Sequence, residues 1–289
     1  MQSNKIPISI LIPTKNEAKN IGACLDAIAN WADEIVLVDS KSTDQTRKIA
    51  ESYGATVIEF DYKGGWPKKR QWAMDSYPFR NEWILLLDAD EILLPAIKIE
   101  MEKAIQNTSM NAFSVLLNME FLGKELKFAY QGLRKVSLLK RGKARYERRL
   151  KDQDASMADM EIHEHVVVED NKIGQLNAPI LHRNYNSMFH YIHKHNEYSN
   201  WEAKVFTEGS NEDLKPSFWG NQAQRRRWIK KTFLKLPFTS LFYFLYHYFF
   251  RLGFLDGKAG WYYCLFGMIQ FIHIKAKIHE IDVQKSNNS

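Results

Sequence analysis

The sequence predicts an α/β protein, a mostly parallel sheet with helices on both faces, followed by amphipathic C-terminal helices. Three observations carry this. Apolar runs alternate with helical spacings through the first 87 residues. The run 83–87 has no Gly or Pro, reads as a strand buried on both faces, and stops in Asp88-Ala89-Asp90-Glu91. The last 75 or so residues turn basic and aromatic, as a terminal subdomain does.

Taken in order, residues 6–12 form the first strand, broken by Pro13-Thr14-Lys15-Asn16-Glu17. Residues 18–31 place Ile21, Leu25, Ile28 and Ala29 at helical spacing. Residues 34–38 are the second strand, closing at Asp39. Ser42 or Thr43 caps a helix that Gly54 ends. Residues 55–60 are the third strand, and a basic helix runs to about Ser76 before the fourth. Strands alternating with helices imply right-handed crossovers and a parallel sheet. Beyond it, 95–106 and 187–206 read as helices, 112–120, 134–139 and 178–182 as strands, and 152–159 as a mobile loop. Residues 162–168 alternate around His163, Glu164 and His165. The expected division is a domain 1–215, with a nucleotide-binding half 1–107 and an acceptor half 108–215, and a helical subdomain 216–289.

Composition narrows the classes. The chain has 289 residues, 45% of them hydrophobic and 26% charged, which is ordinary for a globular protein. A formal charge of +6, clustered at Lys68-Lys69-Arg70, 140–149 and 225–231, suits anionic small molecules or a membrane surface more than duplex DNA. Two distant cysteines, Cys24 and Cys264, indicate no disulfide framework and no Cys-based zinc site. A polar N-terminus running straight into a strand predicts no signal peptide and a cytoplasmic location. No glycine-rich phosphate loop appears, which disfavours a kinase.

Asp88 and Asp90 sit two apart, so persisting strand geometry would project both to one side. Ligands of open α/β sheets gather beyond the strands' carboxyl ends, and paired carboxylates there hold Mg²⁺ or Mn²⁺ against a substrate diphosphate. The competing reading is an acidic turn before a helix N-terminus. Asp39 either accepts from a base or ribose or caps the next helix. Lys68 and Arg70 either meet phosphate or base edges or form a solvated basic face. His190, His193 and His195 lack the carboxylate or Cys that a tetrahedral zinc set needs, and read as helix surface.

Residues 13–17, 31–40, Ser42-Thr43-Asp44 and 87–91 together resemble family 2 glycosyltransferases of the GT-A fold, a Rossmann-like architecture. Lys68 to Gln71, His163-Glu164 and Gly253-Phe254-Leu255-Asp256-Gly257 are similar to bacterial lipopolysaccharide-core β-glucosyltransferases acting on heptose. The segment 151–160 and the Lys-rich C-terminus depart from that subgroup. The resemblance implies a metal-dependent, inverting hexosyltransferase that takes a nucleotide-diphosphate sugar, UDP-linked, to a glycan or lipid-linked acceptor in surface polysaccharide synthesis. It implies that Pro13, Thr14, Glu17 and Asp39 line the nucleotide pocket with Lys68 and Arg70. It places Asp88 near ribose and metal and makes Asp90 the ligand of Mn²⁺ or Mg²⁺.

A base must take the acceptor hydroxyl's proton. Glu164 is assigned that role; His163 replaces it if the segment opens a turn, or else serves backbone carbonyls. His182 is a further metal ligand or an edge-strand polar residue. A non-catalytic nucleotide-sugar or membrane-binding scaffold is the alternative function. Basic residues 225–231 leading into an aromatic run are what an interfacial helix needs to reach anionic lipid at the inner membrane; a helical hairpin packed on the main domain is the other reading.

Overall fold

A computed structural model describes residues 5–106, 108–149, 159, 161, 164–183, 187–208, 215–220 and 222–287. The chain divides into two compact units, one of residues 1–118, 132–146 and 154–183, the other of 119–131, 147–153 and 184–289.

The first unit is built on a sheet ordered β3-β2-β1-β4-β8-β6-β11-β5. Its strands are β1 (Ile6–Thr14), β2 (Ala32–Asp39), β3 (Thr56–Glu59), β4 (Trp83–Leu86), β5 (Glu91–Leu93), β6 (Ala112–Phe121), β8 (Leu133–Lys140) and β11 (Ile173–Arg183). The first four are parallel neighbours, as the alternation of strands and helices requires. The helices between them are α1 (Ile21–Ile28), α2 (Thr46–Ser52) and α3 (Lys69–Ser76); α4 (Pro95–Ala104) follows β5. Ile8, Ile10, Leu11, Ile12, Leu37 and Leu85 are wholly buried, each contributing about 1.5–3 kcal/mol of hydrophobic stabilisation. β8 joins β4 antiparallel, and β11 joins β5 antiparallel with His182 opposite Glu91. Register also sets Thr14 opposite Asp39. These pairings carry Thr14, Asp39, Glu91 and His182 to strand ends.

Several expectations change here. The strand that leads to the acidic run stops at Leu86, so Asp88 and Asp90 are not alternate residues of one strand. The Glu91 amide donates to the Asp88 carbonyl at 2.9 Å, and the Glu91 carboxylate accepts the Asp88 amide at 2.9 Å. That reciprocal pair closes a turn and sends the two aspartates toward different partners. The basic helix is not a solvated face: Lys68, Lys69 and Arg70 are buried. Among the described residues of this segment, 164–168, β10 (Val166–Val168) is strand, paired with β9 (Ala144–Tyr146), and Glu164 lies before it. His163, and the expected mobile loop apart from Asp159, lie outside the described residues.

The second unit contains the hairpin of β6 with β7 (Lys124–Leu126) and the helices α5 (Met188–Glu208), α6 (Gln222–Lys235), α7 (Thr239–Leu245) and α8 (Gly257–Asn287). Phe121, Leu126, Tyr191 and Ala259 form its core with Tyr263 and Phe266. The segment Gly253–Asp256 has a structural explanation. Buried Asp256 accepts the amides of Lys127, Phe128 and Ala129 at 3.0, 3.0 and 2.8 Å. A Cβ at Gly260 would stand 2.1 Å from the Gly253 carbonyl oxygen, so only glycine permits that approach. Among the described residues no helix is long and apolar enough to cross a membrane.

His195 corrects the helix-surface expectation. Its ring packs 4.1 Å from that of Tyr191, and burial, reinforced by Lys194, pushes its pKa down to about 4 against an opposing hydrogen bond with the Gln270 side chain. An unfolded histidine titrates near 6.5, so between pH 6.5 and 4 the unfolded state binds more protons and stability falls as pH falls. Wild type is expected to lose up to roughly 3 kcal/mol across that window through this group. Thermal melts of wild type and His195→Gln from pH 7 to 4.5 check it; an unchanged slope in the variant would remove His195 as the cause.

Candidate active site

The site is assembled from the carboxyl ends of β1, β2 and β4, the start of β5, the first turn of α3, strand β8 and the end of β11. Thr14 and Asp39 are buried side by side. The Thr14 hydroxyl donates to Asp39 Oδ1 at 2.8 Å, and Ser42 donates its amide to Oδ2 at 2.8 Å and its hydroxyl to Oδ1 at 2.5 Å. A carboxylate offers about four lone-pair sites, so three internal bonds leave Asp39 one acceptor position. Glu17 accepts from the Asn20 side chain at 2.7 Å and receives its own place from its amide's bond to the Thr46 hydroxyl at 2.8 Å. Pro13 is buried beside them.

The first turn of α3 is fixed residue by residue against Asp159, Glu161 and Glu164. Lys68 Nζ lies 2.9 Å from Glu164 Oε1, with both side chains inaccessible to solvent. Lys69 Nζ lies 3.1 Å from Asp159 Oδ2 and donates to the Thr14 carbonyl at 2.9 Å. Glu161 accepts the amides of Arg70 and Gln71 at 3.1 and 2.9 Å, satisfying amides that a helix start leaves without partners. Arg70 also donates to the Glu161 carbonyl at 2.8 Å while its other guanidinium nitrogen pairs with Asp88 Oδ1.

Asp88 Oδ2 takes a second cation, Lys135 Nζ at 2.8 Å, which also lies 3.1 Å from Glu91 Oε1. Burial would raise the Asp88 pKa, but Arg70 and Lys135 hold its carboxyl far below the usual carboxylate range. Burial works against the charge of Lys135 too, and is outweighed by Asp88 and Glu91, which keep it an ammonium. Glu91 goes the other way: burial, with Asp88 adding to it, raises its pKa despite Lys135. Asp90 points elsewhere, its Oδ2 3.2 Å from His182 Nε2. Burial lowers the His182 pKa, yet Asp90 and the neighbouring carboxylates bring it above its ordinary value.

The donor set decides which residues fit a divalent cation. Both Asp88 oxygens already carry a cationic partner, whereas Asp90 and His182 present a carboxylate and an imidazole to each other. No group of three or more His, Cys, Asp or Glu suited to a metal occurs among the described residues. Two protein ligands completed by substrate phosphates and water are what Mg²⁺-like sites use, so Asp90 and His182 fit such an ion. Lys135, Glu91 and Glu161 were not singled out by sequence. Lys135 did not stand out, because β8 also carries Arg134, Ser137 and Lys140; Glu161 left no trace either, since its partners lie some ninety positions earlier.

Residues 9–134 match the family model described as glycosyl transferase family 2. An uncharacterized glycosyltransferase of Rickettsia bellii is 42% identical over 95 residues, and the match covers 33% of this chain and only 31% of that relative. The lipopolysaccharide core biosynthesis glycosyltransferase LpsC of Rhizobium meliloti is 27% identical over 286 residues, 96% of this chain and 93% of the relative. The crystal structure of S. aureus TarS 1–349 with UDP-GlcNAc overlaps 96% of this chain and 92% of its own at 14% identity and a TM-score of 0.48.

Proposed function

We infer that this chain, a member of glycosyl transferase family 2 through its residues 9–134, moves a hexose from a UDP-linked donor to a hydroxyl of a glycan or lipid-linked acceptor, with inversion, in bacterial surface polysaccharide assembly. The observation that carries this is the convergence of Asp88, Asp90, His182, Arg70 and Lys135 at the strand ends, with Glu164 one ion pair further along α3. LpsC, alike over nearly the whole chain, supports a lipopolysaccharide-type acceptor.

Each residue has a task in that reaction. Thr14 and Asp39 hold the loop ends against which base and ribose rest, with Asp39's remaining acceptor site offered to a ribose hydroxyl or base N–H. Asp90 and His182 would hold a divalent ion, Mn²⁺ or Mg²⁺, whose charge offsets that developing on the leaving diphosphate. Arg70 brings a fixed cation to the same place, where preorganised charge acts without reorganising, and Lys135 brings a second positive charge beside it. Glu164 accepts the proton of the attacking hydroxyl, and the departing group is a nucleoside diphosphate.

The deciding experiment is a thermal-shift panel of UDP, GDP, CDP and dTDP sugars with and without Mn²⁺, followed by assay of released nucleoside diphosphate. A ligand that binds only the folded state raises the melting temperature with ln(1 + [L]/Kd). A metal-dependent shift with UDP-hexose and release of UDP is expected; donor binding with no transfer to any acceptor would leave a scaffold.

The second unit supports a membrane-side acceptor. Trp219, Phe238 and Phe250 are 91%, 72% and 81% exposed, beside exposed Arg225, Arg226 and Lys231. Aromatic side chains next to basic ones bind an anionic bilayer surface without spanning it. The full chain is expected to sediment with phosphatidylglycerol vesicles, less so with phosphatidylcholine, and several-fold less after Trp219→Ser, Phe238→Ser and Phe250→Ser together. Equal recovery with both lipids and all chains would exclude this contact.

A further inference from the structure

We propose that Lys135, from the antiparallel strand β8, is the side chain that binds the donor's diphosphate, leaving Asp88 for it as the donor enters. The inference rests on the nucleoside-diphosphate reading above. It starts from a contrast between the two cations on Asp88. Arg70 is anchored: one guanidinium nitrogen is bonded to the Glu161 carbonyl at 2.8 Å, and its side chain is 4% exposed. Lys135 is held by carboxylates, at 2.8 Å to Asp88 and 3.1 Å to Glu91, and its side chain is 24% exposed. A lysine ammonium has three donors on a flexible stem. Asp88 and both Glu91 oxygens engage them, at 2.8, 3.1 and 3.4 Å, so an incoming phosphate oxygen gains an N–H by displacing the longest of these contacts.

Charge points the same way. Asp88, Asp90 and Glu91 lie within four residues; Arg70 and Lys135 meet Asp88 and Glu91, and His182 meets Asp90. A diphosphate arriving there adds negative charge where three carboxylates already stand, so it needs a cation that can turn toward it. Arg70 is fixed by its backbone contact; Lys135 can turn. Asp88 then serves Lys135 as a resting partner that keeps the ammonium aimed at the strand ends.

The test uses the full chain and three probes, UDP, inorganic pyrophosphate and uridine, titrated calorimetrically into wild type, Lys135→Met and Lys135→Arg. Lys135→Met is expected to weaken UDP and pyrophosphate at least tenfold and leave uridine unchanged, and Lys135→Arg to restore most of the loss. To keep the test independent of how the variants fold, lysine acetylation of wild type is read by mass spectrometry in parallel. UDP and pyrophosphate, but not uridine, are expected to protect Lys135. Unchanged UDP and pyrophosphate affinity in Lys135→Met, or equal acetylation with and without them, overturns the proposal while leaving nucleotide binding standing. Pyrophosphate binding through Lys135 without any binding of nucleoside diphosphates sustains the proposal and overturns the donor reading. Wild type that binds none of the phosphorylated probes overturns both.

Discussion

Asp90→Ala is expected to abolish transfer, lowering kcat at least about a thousandfold, and to remove the metal dependence of donor binding. The expectation follows from how the acidic run is divided. Asp88 and Glu91 are ion-paired to Arg70 and Lys135, and their charge is already matched by protein. Asp90 faces an imidazole instead, 3.2 Å away. A carboxylate paired with a histidine at a strand end can hand both groups to a metal at little cost; a carboxylate bridging two cations cannot. His182→Ala removes one donor of the pair and should cost less, about 10- to 100-fold, with Mn²⁺ affinity falling in step. Mn²⁺ binding measured by electron paramagnetic resonance on the unreacted protein separates this from loss of the base. An Asp90→Ala enzyme with full activity and unchanged Mn²⁺ binding would take Asp90 out of the reaction.

The division of the acidic run was the part of the site least legible in the sequence. Alternation along the first four strands depends on local apolar runs, so β1 to β4 and their parallel order could be read residue by residue. Spacing alone put Asp88 and Asp90 on one side, on the condition that the strand ran on through them; their different roles came only from the family resemblance. The turn that separates them is set by Glu91, whose carboxylate reaches back to the Asp88 amide, an interaction that also suits a helix start or a plain loop. For the Lys68-Lys69-Arg70 run the sequence left a ligand-binding role and a solvated basic face both open, for a similar reason. Its partners, Glu164, Asp159, Glu161 and Asp88, lie 18 to 96 residues away in sequence, and no local pattern announces such pairings. Lys135 illustrates the same limit from the other side: a lysine in a strand is visible, but its partner on β4's far end is not. The Gly253 to Gly257 motif was legible, while the role of its Asp256, whose carboxylate gathers three amides, required the fold.

Glu164→Gln is expected to keep donor binding and lose transfer by about 10²–10⁴, the usual worth of a positioned base. The neighbouring carboxylates are committed elsewhere. Both Glu161 oxygens cap α3, and Asp159 is paired with Lys69. Glu164 is itself in a buried pair with Lys68 at 2.9 Å, which gives the same substitution a second consequence. Removing one partner of a buried pair strands the other charge and costs about 3–5 kcal/mol, so a dead Glu164→Gln enzyme by itself proves little. Lys68→Met with Glu164→Gln resolves this, because replacing both partners removes the stranded charge. The double variant is expected to melt near wild type, bind UDP-sugar and still not transfer. Transfer restored together with stability would make Glu164 the counter-ion that seats α3, and would move the search for the base to the acceptor's own side of the site. A base requires its oxygen within about 2.6–3.2 Å of the attacking hydroxyl. With Glu164 enclosed in the free chain, that approach demands that acceptor binding draw the carboxylate away from Lys68. Transfer by the wild type should therefore show a slow step after donor binding that the double variant lacks, measurable by stopped-flow fluorescence of the tryptophan beside this turn, Trp72.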